Sequence, residues 1–199
     1  MPLHFWLLAD LSLAVLEFKY LNQAINRPIA KTFTFTARYI DDIVSITTVN
    51  NDCSFMDIAK NIYPVSLELS QTSANDMATF LDARLSIDSQ NKLKIDIYNK
   101  TDDFSFPVVR YMSEVNNVQK SIGYNTFYGE ILRFARITNN KASFVQRSKS
   151  LFQMFLNKGF KKNVLTNVIK KLYGAYYALF FKFHIYDLQS FLKNISSLN

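Results

Sequence analysis

Cysteine is almost absent from this chain. The single residue, Cys53, excludes an internal disulfide framework, fits a reducing compartment, and has no evident general-base partner that would make it a nucleophile. Histidine is nearly as scarce. His4 and His184 stand alone, so no His/Cys spacing of a zinc site exists. The four glycines form no phosphate-cradling loop, and the sequence contains no repeat and no low-complexity tract. Nor is there a continuous apolar run of about 18 residues, the length a membrane-crossing helix needs. The opening segment 3–18 is apolar, but it lacks a basic leader and carries Asp10 and Glu17, which fits neither a signal peptide nor an anchor. These absences lead to the expectation of an intracellular protein, nuclear or cytoplasmic, with no membrane partner.

What is present is core material and an uneven distribution of charge. Hydrophobic residues make up 49% of the 199 positions and aromatics 15%, ample for a buried interior. The net charge of +7 is not shared equally. Residues 1–100 hold 9 Lys and Arg against 11 Asp and Glu, whereas residues 101–199 hold 14 against 5. Such asymmetry points to a nucleic-acid or other anionic surface in the second half, or to solvated helix faces, beside a first half able to hold cations.

Apolar residues at Leu7, Leu8, Leu11, Val15, Phe18 and Leu21 follow the helical period and predict an amphipathic helix from about Leu7 to Leu21. Asn26-Arg27-Pro28 interrupts it. From Thr32 to Ile46 the pattern alternates, with Phe33, Phe35, Ala37 and Tyr39 on one face and Thr32, Thr34 and Thr36 on the other, predicting strand, tight turn, strand. Asn51 or Asp52 then caps a helix to about Tyr63, with Phe55, Ile58, Ala59 and Ile62 inward and Pro64 as its stop. Val65, Leu67 and Leu69 predict a half-buried strand. Thr79–Ile87 and Lys92–Tyr98 predict a hairpin across Asp88-Ser89-Gln90-Asn91, and Phe104, Phe106 and Val108 predict a short extended piece.

Beyond Ser121 the period becomes helical. Phe127, Ile131 and Phe134 mark one helix, and Phe144, Leu151 and Phe155 mark a second that ends at Gly159. A third begins near Lys161 and continues through the aromatic-rich 173–186 past a weak point at Gly174. The expected fold class is therefore α+β, with an antiparallel sheet and helices over 1–112 and an all-helical basic region over 113–199.

Within the first hairpin, Arg38-Tyr39-Ile40-Asp41-Asp42 puts two adjacent carboxylates at the turn. They repel each other by a few kcal/mol at low effective dielectric, so the pair suits either full solvation or a divalent cation that takes oxygen ligands. This run resembles the Tyr-x-Asp-Asp box of reverse transcriptases, the RNA-directed DNA polymerases. Its neighbours resemble that family in order. Leu7-Leu8-Ala9-Asp10-Leu11-Ser12-Leu13 looks like the end of the preceding helical motif, and Phe80-Leu81-Asp82 opens a hairpin similar to the primer grip. Segments 100–106, 123–136 and 172–174 look like the region beyond the palm in non-viral retroelement, or retrotransposon, polymerases. The resemblance covers nearly the whole chain, and the Tyr-x-Asp-Asp string is its most specific part.

The resemblance implies a partial polymerase palm followed by a helical thumb. It implies that Asp41 and Asp42 are catalytic and ligate Mg²⁺ or Mn²⁺, and that Tyr39 sits at the primer terminus and nucleotide pocket. RNA template, DNA primer and deoxynucleoside triphosphates would be the partners, and nucleotidyl transfer the reaction. In the family a further aspartate comes from an earlier strand. The likeness begins inside the motif before the turn, so fingers and that aspartate are expected ahead of Met1, and the chain alone is expected to be an inactive fragment.

Other readings stand beside these. Arg133, Arg136, Arg147, Lys149, Lys161 and Lys162 either track a phosphate backbone or form solvated helix surface. Tyr39 and Phe35 serve substrate contact or burial, and the Tyr173–Tyr186 aromatics form a stacking platform or core. A non-catalytic nucleic-acid-binding module, or a structural or interaction protein derived from a retroelement, is the alternative to a polymerase.

Overall fold

A computed structural model describes residues 3–23, 35–46, 55–73, 76–106 and 108–197, with the side chains of 3–9 left aside. The expected connector at Asn26-Arg27-Pro28, the cap at Asn51 or Asp52, Cys53, and the alternating Thr32, Phe33 and Thr34 lie outside the described residues. The chain is mixed α/β with antiparallel strand pairing, and it divides into two compact units, Met1–Phe80 and Leu81–Asn199. No helix among the described residues is long and apolar enough to cross a membrane.

The first unit contains helix α1 (Leu3–Leu21), strands β1 (Thr36–Tyr39) and β2 (Asp42–Ser45), helix α2 (Phe55–Ile62) and strand β3 (Met77–Phe80). β1 and β2 pair antiparallel from Thr36 opposite Ser45 to Tyr39 opposite Asp42, leaving a two-residue turn at Ile40-Asp41. The Thr36 and Ser45 hydroxyls lie 2.7 Å apart across the open end of the ladder. Helix α2 buries Ile58, Ala59 and Ile62 of the predicted stripe, leaves Phe55 half-buried, and stops before Pro64.

Helix α1 departs from expectation in the face it turns inward. Leu11, Val15 and Phe18 are exposed, while Leu13, Ala14, Glu17 and Leu21 are half-buried. A helix apolar on all sides does not choose its inner face by hydrophobicity, and here ion pairing from Asp10 and Glu17 makes the choice. The predicted strand at Val65–Leu69 is also corrected. Its residues are turn and irregular chain, and Val65 is fully exposed. Alternation without a partner strand is not enough to form one.

The second unit opens with β4 (Ala83–Ile87) and β5 (Leu93–Ile97), paired from Ala83 opposite Ile97 to Ile87 opposite Leu93. The connection is closed by the Asp88 carboxylate, which accepts from the backbone N–H of Gln90 and Lys92 at 2.8 and 2.9 Å. The run predicted as one strand, Thr79–Ile87, is thus broken by a tight turn at Leu81-Asp82, where Leu81 has φ of +53°. The extended piece predicted at Phe104, Phe106 and Val108 is corrected: these three residues are irregular chain that follows a 3₁₀ turn over Lys100–Asp103.

Five helices follow: α3 (Lys120–Ile137), α4 (Lys141–Asn157), α5 (Lys162–Ala175), α6 (Tyr177–Phe181) and α7 (Leu188–Ser196). Gly159 has φ of +90° just past α4, the left-handed position glycine occupies without strain. The single long helix expected after Lys161 is interrupted at Tyr176 rather than at Gly174. Buried phenylalanines join these helices. The Phe144 ring stacks on Phe183 at 4.7 Å and on Phe191 at 5.7 Å, and meets Phe180 edge-on.

Strand β5 is fastened to this helical body. The Thr138 hydroxyl donates to the Ile95 carbonyl at 2.5 Å, Asn139 donates to the Leu93 carbonyl at 2.9 Å, and Ile97 joins the core. The shift of composition and charge near residue 113 therefore lies inside the second compact unit.

Candidate functional site

The first unit presents Tyr39, Ile40, Asp41 and Asp42 at the tip of the β1–β2 hairpin. Inward positions alternate with outward ones, so Thr36 and Arg38 face in, while Ala37 and Tyr39 face out. Tyr39 is 55% exposed, Phe35 is exposed, and both carboxylates are open to solvent. Ile40 has φ of +55°, a left-handed conformation that a β-branched residue seldom adopts. Strain of this kind, worth about 1–3 kcal/mol, persists only where surrounding contacts impose it.

Arg38 contacts this turn. Its Nε donates to Glu17 Oε1 at 2.6 Å, and its Nη1 donates to Asp10 Oδ1 at 2.5 Å and to the Ile40 carbonyl at 3.3 Å. Tyr63 donates its hydroxyl to the same Glu17 oxygen at 2.6 Å. One guanidinium thereby ties α1 to the turn, and Glu17 links both to the end of α2. Burial, reinforced by the bond to Glu17, raises the Tyr63 pKa above the usual range. A cavity of about 130 Å³ beside this network is lined by Leu21, Ile43, Phe55, Ala59 and Ile62 with Glu17 and Arg38 at its edge.

Sequence reasoning missed this bridge. Asp10 and Glu17 are seven residues apart, two turns of one helix face, and Arg38 stands on the inward face of a strand. That spacing was the available signal.

Of the remaining candidates, Phe80 is the last residue of the first unit and the others lie in the second. Phe80 ends β3, Leu81 is exposed in the following turn, and Asp82 is occupied: its carboxylate accepts from Arg133 at 2.6 Å and its carbonyl from the Tyr98 N–H at 2.8 Å. Arg133 also donates to Glu130 at 2.8 Å, and Arg147 pairs with Asp102 at 2.6 Å. These two arginines brace the unit from within. Arg136 lies over the Tyr176 ring at 5.7 Å, and Lys161 and Lys162 are exposed at the start of α5. Lysines there reinforce the positive end of the helix dipole, an arrangement that favours anions. Lys149 lines a groove along α4 and α7 of about 1550 Å³, together with Lys141, Lys158, Gln146, Gln153 and Asn194 and, among the described residues, no carboxylate.

Chemically, the hairpin tip offers two adjacent carboxylates that can ligate a hard cation through oxygen, and an exposed phenol beside them. Among the described residues no group of three or more His, Cys, Asp or Glu is placed to hold a metal, and the Asp10 carboxylate is engaged by Arg38. Two carboxylates suit Mg²⁺ that keeps several waters and takes its other ligands from a substrate's phosphates. No protein-family model, curated protein or solved structure matches this chain.

Proposed function

We propose that this chain is the palm and thumb portion of a reverse-transcriptase-like polymerase that binds a DNA primer on an RNA template and contributes Asp41 and Asp42 to a Mg²⁺ or Mn²⁺ site. The observation that carries the reading is the hairpin itself. Tyr39 and both aspartates stand exposed around a two-residue turn in which Ile40 has φ of +55° and its carbonyl accepts from Arg38. In this reading a bound cation would supply charge neutralisation for a deoxynucleoside triphosphate, and Tyr39 would offer a flat face to the nucleotide. The basic second unit would lie along the phosphate backbone.

Polymerisation needs a further carboxylate that the described residues do not bring to the turn, so primer extension by the chain alone, on an RNA template with Mg²⁺ or Mn²⁺, is expected to yield no templated product. The same observation favours a second reading, a nucleic-acid-binding module without catalysis. Titration of an RNA–DNA primer-template and a deoxynucleoside triphosphate, each with and without Mg²⁺, separates the two. The polymerase reading expects duplex binding that weakens steeply with salt, and Mg²⁺-dependent nucleotide binding that Asp41→Asn and Asp42→Asn abolish. Nucleotide binding indifferent to those substitutions supports the module instead. Absence of duplex binding at low salt overturns both.

A further inference from the structure

From Ile131 to Asn199 the chain carries twelve Lys and Arg and a single acid, Asp187. That acid is not free to offset them: its two carboxylate oxygens cap α7, accepting from the N–H of Gln189 at 2.9 Å and of Ser190 at 3.1 Å. Against this positive background the aromatic segment 173–186 divides in two. Phe180 and Phe183 are buried in the core. Tyr177, Phe181 and Tyr186 face out, 45%, 51% and 55% exposed.

The outward rings form one continuous row. Tyr177 lies 6.1 Å from Phe181, and Phe181 lies 5.1 Å from Tyr186. His184, exposed and held at φ of +53°, closes the row, its Nδ1 2.7 Å from the Tyr186 hydroxyl. Three cations sit on the same segment: Arg136 over Tyr176, Lys182 over Phe183 at 4.7 Å, and Lys141, whose ammonium donates to the His184 carbonyl at 3.5 Å.

We propose that this row is a stacking platform for single-stranded nucleic acid, with bases on the Tyr177, Phe181 and Tyr186 rings and phosphates beside Arg136, Lys141 and Lys182. Two features choose the occupant together. Exposed aromatic faces call for a flat π-surfaced ligand, and the three cations beside them, on a stretch whose single acid is a helix cap, call for a polyanion; unpaired nucleotides are both. A duplex fits less well, because its bases are already stacked on one another and out of reach of surface rings. An apolar protein partner would bury these cations without countercharge. The inference rests on the second unit alone and is independent of the reading given to Asp41 and Asp42.

The test is fluorescence anisotropy of a labelled fifteen-nucleotide single strand and of a duplex of equal length with the full chain at low salt. Phe181→Ala and Tyr186→Ala remove exposed rings, so the core is spared, and circular dichroism verifies the fold. Each substitution is expected to weaken single-strand binding roughly five- to hundredfold, with duplex binding changed less than twofold. Tyr186→Phe keeps the ring and is expected to bind as the unsubstituted chain, and single strands are expected to quench tyrosine fluorescence. The proposal is overturned by an absence of single-strand binding, by alanine variants that bind single strands normally, or by equal losses on single strand and duplex. It is equally overturned if sedimentation shows a dimer that Phe181→Ala dissociates, or if anionic phospholipid vesicles bind through the same rings more tightly than single strands.

Discussion

In the second unit the interior is built of rings in contact: Phe127 against Phe152 and Phe155, and Phe144 between Phe183 and Phe191. In the first, the buried apolar residues among those described are Ile58, Ala59 and Ile62, and the β1–β2 hairpin is held by Arg38 reaching Asp10, Glu17 and the Ile40 carbonyl. One unit is stabilised mainly by removing apolar surface from water, the other by charge-assisted hydrogen bonds around a strained turn. The difference matters for function because the carboxylates lie on the second kind of support. An exposed site tolerates a small core if a bridge fixes its geometry, and the geometry is then only as stable as the bridge.

The largest expected effect breaks the ring core. Phe144 has no exposed surface, and Phe144→Ala removes a ring stacked on two others, so a loss of about 3–5 kcal/mol is expected. Urea denaturation followed by circular dichroism measures it, and amide exchange in α3–α7 should accelerate. A change below about 1 kcal/mol would show that the rings are not the main support of this unit.

Second in size is the bridge. Arg38→Met keeps an apolar stem but leaves Asp10 and Glu17 without their cation. A cost of about 1–3 kcal/mol is expected, below that of a fully buried pair because Asp10 is half exposed. It should appear as exchange of β1 and β2 amides at least tenfold faster, with α3–α7 unchanged. Equal acceleration in both regions would abolish the contrast between the two units.

A smaller effect comes from Tyr111, whose ring packs 5.2 Å from Phe155. Burial, with the nearby Glu130 charge, pushes its pKa up to about 12 from 10.0. The folded state holds the proton more tightly than the unfolded chain. Its contribution is therefore fully present below pH 10 and is lost as pH rises toward 12. The denaturation midpoint should fall across that window, and Tyr111→Phe should reduce the fall while leaving the midpoint at pH 8 nearly unchanged.

What the sequence disclosed follows the same contrast. The helices around Phe127, Phe144 and Leu151 were legible because a ring core imposes a strict 3.6 period, and Gly159 was legible as a stop because its φ demands glycine. The hairpin at Asp41 and Asp42 was legible from alternation. The inward face of α1 was not, since an ion pair 28 residues away in sequence selects it. Nor was the division of the 173–186 aromatics, because one period passes through both buried Phe180 and exposed Phe181 and only the break at Tyr176 decides between them. Arg133 and Arg147 read as phosphate contacts from charge alone, while their partners Asp82 and Asp102 lie far along the chain.

The smallest effect examines the turn beneath the carboxylates. Ile40 and Leu81 occupy the first position of two tight turns, at φ of +55° and +53°, and each precedes an aspartate. A left-handed conformation disfavours a side-chain-bearing residue by about 1–2 kcal/mol, and asparagine relieves part of it through local hydrogen bonding. Ile40→Asn is accordingly expected to stabilise the β1–β2 hairpin by up to about 1 kcal/mol, read as slower exchange of its amides. If Asp41 and Asp42 hold a cation, the relaxed turn should also bind it differently, because Ile40 directly precedes both carboxylates at the turn. Mn²⁺ titration of Ile40→Asn beside Asp42→Asn separates the two effects. Stabilisation with unchanged Mn²⁺ affinity would assign the strain to folding alone, whereas stabilisation with weaker binding would assign it to the site.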